Sequence, residues 1–301
     1  MADDASLYHA LAKPHLRARL RPFWESVVAR PSQCVPDATV VVTAVNAAHM
    51  ELLQLQSASV PPCFLRRYGA LCFSEAGAAR GGEVVASNVS CMHWPVAALA
   101  QRLSYDVFTW LKWEVLHLAL LARGVSGALW LDVDVAILRN PFALLASSAS
   151  AAAPQRQSDP PPPPPPPPPD LTHQFNGLHS DLNTGVMMLR SEPLVRHVLA
   201  ASRWWEVRHK DIEQVVVQRL LAATNFSTRG LAYSAFASYC WLRVRDDEPP
   251  SGYALSLLCR PSLLHANCLQ AVADKRAAMR GAVAAFRRRC GVPRFHRARS
   301  A

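Results

Sequence analysis

Apolar and polar positions along the chain follow two periods in turn. Ala38-Thr-Val-Val-Val-Thr-Ala-Val-Asn46 is a continuous β-branched run, which predicts a strand buried on both faces. It opens into Ala47–Ser59, where Met50, Leu52, Leu53 and Leu55 suit a helix that Pro61 and Pro62 stop. A weaker strand is predicted over Ala70–Phe73, then a glycine-rich loop at Gly77–Gly82. Val107–Ala122 reads as a long amphipathic helix closed by Gly124, and Ala128–Val135 as the next strand. Further on, Asp181–Arg190 reads as a strand and Pro193–Ser202 as a helix. Lys210–Leu221 reads as a helix with acids in its first turn, as the helix dipole favours. Leu263–Cys268 is the last informative stretch. This rhythm predicts an α/β fold with a mostly parallel sheet flanked by helices. Such sheets bind ligands beyond the carboxyl ends of their strands.

Residues 147–170 interrupt the pattern with ten consecutive prolines, Pro160–Pro169. Proline lacks an amide donor and fixes φ, so this run is a polyproline II rod of roughly 31 Å at ~3.1 Å per residue. A surface spacer is the expectation, with a ligand for an aromatic groove as the alternative. The segments on either side read as parts of one sheet. The expected organisation is a helical lead over 1–33, one domain over 34–285 carrying the insert, and a basic tail over 286–301.

Composition adds bounds. At 301 residues and 50% hydrophobic, the chain can build a substantial core. The net charge of +10 is concentrated in Arg17–Arg21 and Arg287–Arg299. Basic ends without interleaved aromatics argue for solvated arms, and no nucleic-acid partner is expected. None of the eight cysteines forms a CxxC pair, which argues against structural zinc and permits disulfides. Asn88-Val-Ser90 and Asn225-Phe-Ser227 are glycosylation sequons that fit a secretory lumen, with the Golgi as the expected location. The first residues lack a charged and apolar leader, and no run reaches the ~18–20 apolar residues of a membrane span. Either the chain is soluble and intracellular, or it has lost an anchor.

The chemistry centres on Trp130-Leu-Asp-Val-Asp-Val-Ala-Ile-Leu-Arg-Asn-Pro-Phe142. Asp132 and Asp134 close an otherwise apolar run, and i, i+2 spacing points both to one side of an extended chain. Paired carboxylates repel unless a cation joins them, and such hard oxygen ligands suit Mg²⁺ or Mn²⁺. A strand ending in a solvated turn, with Asp134 as a cap, is the plain alternative.

Four segments stand together: Asp132-Val-Asp134, Asn183-Thr-Gly185, Glu213-Gln214 and His265-Ala-Asn267. With Leu111-Lys-Trp113 upstream, their order and flanks resemble the nucleotide-diphospho-sugar transferases of plants and algae. That group includes the arabinosyl-, xylosyl- and galactosyltransferases of glycosyltransferase family 77. The resemblance runs from about Val40 to Lys275. It implies a GT-A fold, a Rossmann-like mostly parallel sheet flanked by helices, and a metal-dependent retaining glycosyltransferase. The enzyme would move sugar from a nucleotide-sugar donor, expected to be a UDP-sugar, to a glycan or glycoprotein acceptor.

By the same resemblance Asp132, Asp134 and His265 hold Mn²⁺ (or Mg²⁺), and Asp132 also lies near the ribose. Thr43 and Asn46 line the nucleotide pocket, Lys112 points toward the donor, and Asn183 bonds sugar hydroxyls. Glu213 and Gln214 take the catalytic position, with Gln214 near the anomeric carbon. Lys275 reaches a phosphate. Two departures from the pattern are Glu213 in place of Asp and Ala271 in place of a glycine. Two rival readings remain at this point: a non-catalytic nucleotide-sugar-binding module of the same fold, and an aspartyl-phosphate phosphohydrolase with Asp246-Asp247 as its second acidic motif.

Overall fold

A computed structural model describes residues 14–73, 89–94, 105–147, 167–174, 182–208, 213–231, 236–238, 259, 261–267 and 269–291. Its elements in chain order are α1 (Pro14–Val28), β1 (Thr39–Asn46), α2 (Met50–Ala58), α3 (Pro62–Leu65), β2 (Tyr68–Phe73), β3 (Ser90–Trp94) and α4 (Tyr105–Leu120). There follow β4 (Gly127–Leu131), β5 (Val135–Ile137), α5 (Pro141–Ser147), β6 (Leu171–Gln174), β7 (Asn183–Leu189), α6 (Glu192–Arg208) and α7 (Glu213–Ala222). The last are β8 (Thr228–Leu231), β9 (Phe236–Ser238), β10 (Leu263–His265) and α8 (Val272–Cys290).

The main sheet has the order β3-β2-β1-β4-β7-β6-β8. β1, β2, β3 and β4 run parallel, while β7 is antiparallel to both β4 and β6. β1 is buried along nearly its whole length because both faces of this sheet are covered, and its unbroken β-branched run is the consequence. Val40, Val42 and Ala44 pack among residues of α1, α4, α6 and α7. Val41 and Val45 pack on the other face with Leu53, Phe64 and Phe142. Trp24 of α1 is fully buried in the first of these layers, so the N-terminal helix is part of the core.

A smaller sheet, β5-β10-β9, joins α2 and α8 in a third apolar cluster containing Leu52, Ala136, Leu264 and Phe286. α8 continues to Cys290, which a disulfide ties to Cys259; Cys34–Cys63 and Cys72–Cys91 are also bonded.

One predicted strand is corrected. Ala128–Val135 is not continuous: β4 ends at Leu131, a turn spans Asp132–Asp134, and β5 begins in the other sheet. The apolar run is unbroken because both strands are buried, so hydrophobicity alone does not reveal the change of sheet. Ala47–Ser59 likewise begins as a 3-10 turn, Ala47–His49, before α2. β6, β8 and β9, of three or four residues each, were too short to announce themselves, and α8 was not foreseen. The Gly77–Gly82 loop, Asn88, Asp181, the Lys210–Ile212 helix start, Asp246-Asp247, most of the proline run and the tail beyond Gly291 lie outside the described residues.

Candidate functional site

Topology alone brings three distant segments to one place. β1 lies between β2 and β4, so successive connections diverge at the carboxyl ends of β1 and β4, the place where open α/β sheets bind ligands. The Asp132–Asp134 turn lies at that end of β4. Because β7 is antiparallel to β4, with Val186 opposite Leu131, its opening Asn183-Thr-Gly185 lies beside the turn. Because β10 is antiparallel to β5, with His265 opposite Val135, the histidine meets the turn from the other sheet.

The turn is fixed through its own peptide groups. Asp132 N donates to Gly185 O at 2.8 Å, Val135 N to Asp132 O at 3.1 Å, and Ala266 N to Asp134 O at 2.9 Å. Gln56, fully buried on α2, donates to both Asp132 O and Val135 O at 2.9 Å and accepts the Tyr68 hydroxyl. An amide that satisfies two buried carbonyls across a turn locks its shape.

Each aspartate commits one oxygen to a protein donor. Trp130 Nε1 donates to Asp132 Oδ1 at 2.7 Å, and Lys275 Nζ donates to Asp134 Oδ2 at 2.7 Å. The other two oxygens converge on His265: Nε2 lies 3.3 Å from Asp134 Oδ1 and 3.8 Å from Asp132 Oδ2. One ligand atom from each residue lies within 4.8 Å of the other two. Two carboxylate oxygens and an imidazole nitrogen at this spacing are a donor set for a Mn²⁺- or Mg²⁺-class ion. A Cβ on Gly185 would lie 2.8 Å from both Asp132 Oδ2 and His265 Nε2. The bare backbone there is what lets these groups approach one another, so the residues present fit a cation.

Burial would raise the Asp134 carboxyl, but the charges and hydrogen bonds of His265 and Lys275 outweigh it and hold the group well below the usual carboxylate range.

The family model of the nucleotide-diphospho-sugar transferases matches residues 95–279, more than half the chain. The chain belongs to the nucleotide-diphospho-sugar transferase family. It is a glycosyltransferase, and that sets aside the phosphohydrolase reading. No curated protein sequence matches the chain. Among solved structures, the transferase is similar to a glycosyltransferase involved in glycosylation of the major capsid of PBCV-1. Identity is 11%, coverage is 81% of this chain and 98% of that one, and the TM-score is 0.50. Galactosyltransferase LgtC in complex with donor and acceptor sugar analogues is 12% identical, covering 81% and 95% of the two chains, with a TM-score of 0.48. Mouse xyloside xylosyltransferase 1 is 12% identical, covering 76% and 98%, at 0.44. The fold is thus a GT-A glycosyltransferase fold.

Within this transferase the remaining predicted residues fall into two groups. Lys112, Glu213 and Asn183 lie buried beside the turn. Lys112 Nζ donates to Thr184 Oγ1 at 2.9 Å and stands 3.5 Å from Glu213 Oε2. Thr184 Oγ1 donates to that same oxygen at 2.8 Å, and Trp113 Nε1 donates to Glu213 Oε1. Both Glu213 oxygens are therefore engaged by protein, and burial raises its carboxyl although Lys112 and the two donors oppose the rise. The charge of Asp132 also acts on Glu213, so the cluster adjoins the cation site. Asn183 Oδ1 accepts from Gly185 N at 2.8 Å, shaping the entry to β7. Gln214 follows on α7, half-buried.

The second group lies on β1. Asn46 ends the strand, where its side chain caps the 3-10 turn and meets His49 Nδ1 at 2.6 Å. Burial lowers the His49 imidazole, with Lys275 adding to the effect and Asp134 opposing it. The Asn46–His49 corner is thus within electrostatic reach of the aspartates. Thr43 is fully buried in mid-strand, in the sheet interior.

Sequence reasoning missed Gln56, Gln174, Trp130 and the role of Gly185. Gln56 carried a signal, since a glutamine follows Leu52 and Leu53 on the inward stripe of α2. Gln174, in a four-residue strand after the prolines, carried none.

Proposed function

We propose that the chain is a metal-dependent retaining glycosyltransferase that moves a sugar from a UDP-sugar to a glycan or glycoprotein acceptor. The observation that carries this is the convergence of Asp132 Oδ2, Asp134 Oδ1 and His265 Nε2 at the carboxyl end of β4, beside the strand-order switch where such sheets hold ligands. Asp132, Asp134 and His265 would hold Mn²⁺ (or Mg²⁺), which, when bound, neutralises the charge that grows on the leaving diphosphate.

The chain's own groups complete the reading. Lys275, already drawn to the site by Asp134, supplies a point charge toward phosphate. Asn46 ends the strand that borders the nucleotide, whereas Thr43, expected in the same pocket, lies within the sheet. Asn183 presents an amide able to donate to and accept from sugar hydroxyls. Gln214 stands at the anomeric carbon. Glu213, bonded through both oxygens, positions Lys112, Thr184 and the start of α7 around that point. The corresponding catalytic unit takes in α1 and runs to the end of α8, wider than the expected 34–285, because α1 packs in the core and Cys290 is bonded to Cys259. The Golgi lumen is the proposed location, supported by the three disulfides among the described residues and by an exposed Asn225 in its sequon. Among the described residues no helix is long and apolar enough to cross a membrane.

The test is a panel of UDP-sugars with Mn²⁺, read as UDP release and as the anomeric configuration of the product. Arabinose, xylose and galactose donors come first, on the family resemblance. Metal-dependent release that EDTA abolishes, with the donor configuration kept in the product, is the expected result. Undiminished turnover in the chelator, or inversion, defeats the reading. For the compartment, a glycosidase-sensitive mass that disappears in Asn225→Gln is expected.

A further inference from the structure

Gln174 sits at the one irregularity in the pairing of β6 with β7. The register runs from His173 opposite Met187 directly to Gln174 opposite Asn183, so Thr184, Gly185 and Val186 have no partner on β6. The imidazole of His265 packs against Gly185 at this irregularity. Gln174 is fully buried, and its three polar contacts determine which way its amide faces. Nε2 donates to Phe236 O and Ala237 O of β9, each at 3.0 Å. Both amide protons are used there, so Oε1 faces His265 Nδ1 at 3.0 Å. Reversing the amide would set its oxygen against two buried carbonyls and leave both unpaired. An oxygen acceptor at Nδ1 keeps the proton there in both forms of the ring. The imidazolium also donates from Nε2 to Asp134, and the neutral ring carries its lone pair on Nε2, where a cation takes the place of that proton. Nε2 is the nitrogen directed at Asp134 Oδ1 and Asp132 Oδ2.

We propose that Gln174 is the positioning residue of this centre, fixing His265 in the Nδ1-protonated tautomer so that Nε2 is the nitrogen offered to a cation between the two aspartates. A single carboxamide on the main sheet thereby sets the tautomer of a ligand on the small sheet. It also ties β9 to that ligand's strand, because β9 and β10 are paired with Ser238 beside His265. This deepens the metal-dependent reading above and rests on it. Partners of this kind on the far nitrogen of a ligating histidine change metal affinity by roughly 10–100-fold when removed.

Three measurements test the assignment. In ¹⁵N-histidine NMR spectra of the metal-free protein at alkaline pH, His265 should show a protonated Nδ1 and a pyridine-type Nε2. Gln174→Leu removes the acceptor and should lose that preference. It should also weaken Mn²⁺ binding 10–100-fold, read from the EPR signal of free Mn²⁺. Gln174→Glu keeps an acceptor at Nδ1 but cannot donate to both β9 carbonyls. It should retain the tautomer and most of the affinity, whereas a purely structural role through β9 would damage both variants alike. A wild-type ring protonated on Nε2 overturns the proposal, as does a Gln174→Leu protein with unchanged tautomer and unchanged Mn²⁺ affinity. If Gln174→Leu does not fold, the wild-type spectrum and Gln174→Glu still decide. Absence of Mn²⁺ binding in the wild type would instead sink the metal-dependent reading, and the tautomer would judge Gln174 separately.

Discussion

Asp134→Ala is expected to reduce Mn²⁺-dependent UDP release by about 100- to 1,000-fold, the equivalent of about 3–4 kcal/mol of transition-state stabilisation. The variant should remain folded, because Gln56, Gly185 and Ala266 hold the turn through backbone groups that alanine keeps. It should also lose the rise in Tm expected of the wild type in Mn²⁺, since a ligand that does not bind the native state does not stabilise it. The pH dependence separates loss of the cation site from general damage. The Asp134 carboxyl is held below its unfolded value of 3.8 by His265 and Lys275, against the effect of burial. A depressed carboxyl contributes stability above its unfolded pKa and loses it as pH falls through the folded one. The stability gap between wild type and Asp134→Ala should therefore be widest near neutrality and shrink on acidification below about pH 4. A variant that still releases UDP at the wild-type rate would remove Asp134 from the chemistry. A gap that widens below about pH 4 would contradict the ion pair of Asp134 with Lys275.

What the sequence made legible follows from how far each element's period extends. β1, α4, β7 and the acidic motif were visible because each shows several repeats of its pattern or an anomalous charge in an apolar run. The i, i+2 argument put the two aspartates together for a partly wrong reason. Asp132 does fall on the side of Trp130, two residues earlier, and bonds it. Its convergence with Asp134, however, comes from a turn between sheets that the flanking apolar residues conceal. His265, about 130 residues downstream, entered only through the resemblance, since pairing of β10 with β5 has no local signature. Gln174 was beyond reach for the same reason, because its importance lies wholly in three partners distant in sequence. Glu213 was expected at the catalytic position, and there its oxygens are bonded to Trp113 and Thr184. The sequence shows a carboxylate at a helix start and cannot show what lies opposite.

Gly185→Ala is the substitution with the largest expected effect on cation binding that touches no ligand. The added Cβ would stand 2.8 Å from Asp132 Oδ2 and from His265 Nε2, and closer still to His265 Cε1. None of the parties can easily yield. The strand is tied by Gly185 O accepting from Asp132 N and by Gly185 N donating to Asn183 Oδ1. Asp132 is anchored by Trp130, and His265 is buried and bonded to Gln174. A methyl forced into such a core costs about 1–3 kcal/mol in stability, and here it also parts two ligands. Mn²⁺ affinity should therefore fall by at least 100-fold, equivalent to about 2.7 kcal/mol, with UDP release falling alongside it. Gly281 on α8 supplies the control, because a Cβ there meets nothing within 4 Å. Gly281→Ala should bind Mn²⁺ as the wild type does and gain up to about 1 kcal/mol from helix propensity. Equal behaviour of the two alanine variants in Mn²⁺ titrations would mean that the contact of β7 with the histidine and the first aspartate does not shape the cation site. A selective loss at Gly185 would assign the Asn183-Thr-Gly185 segment a steric role there: its last residue must present only backbone to the ligands.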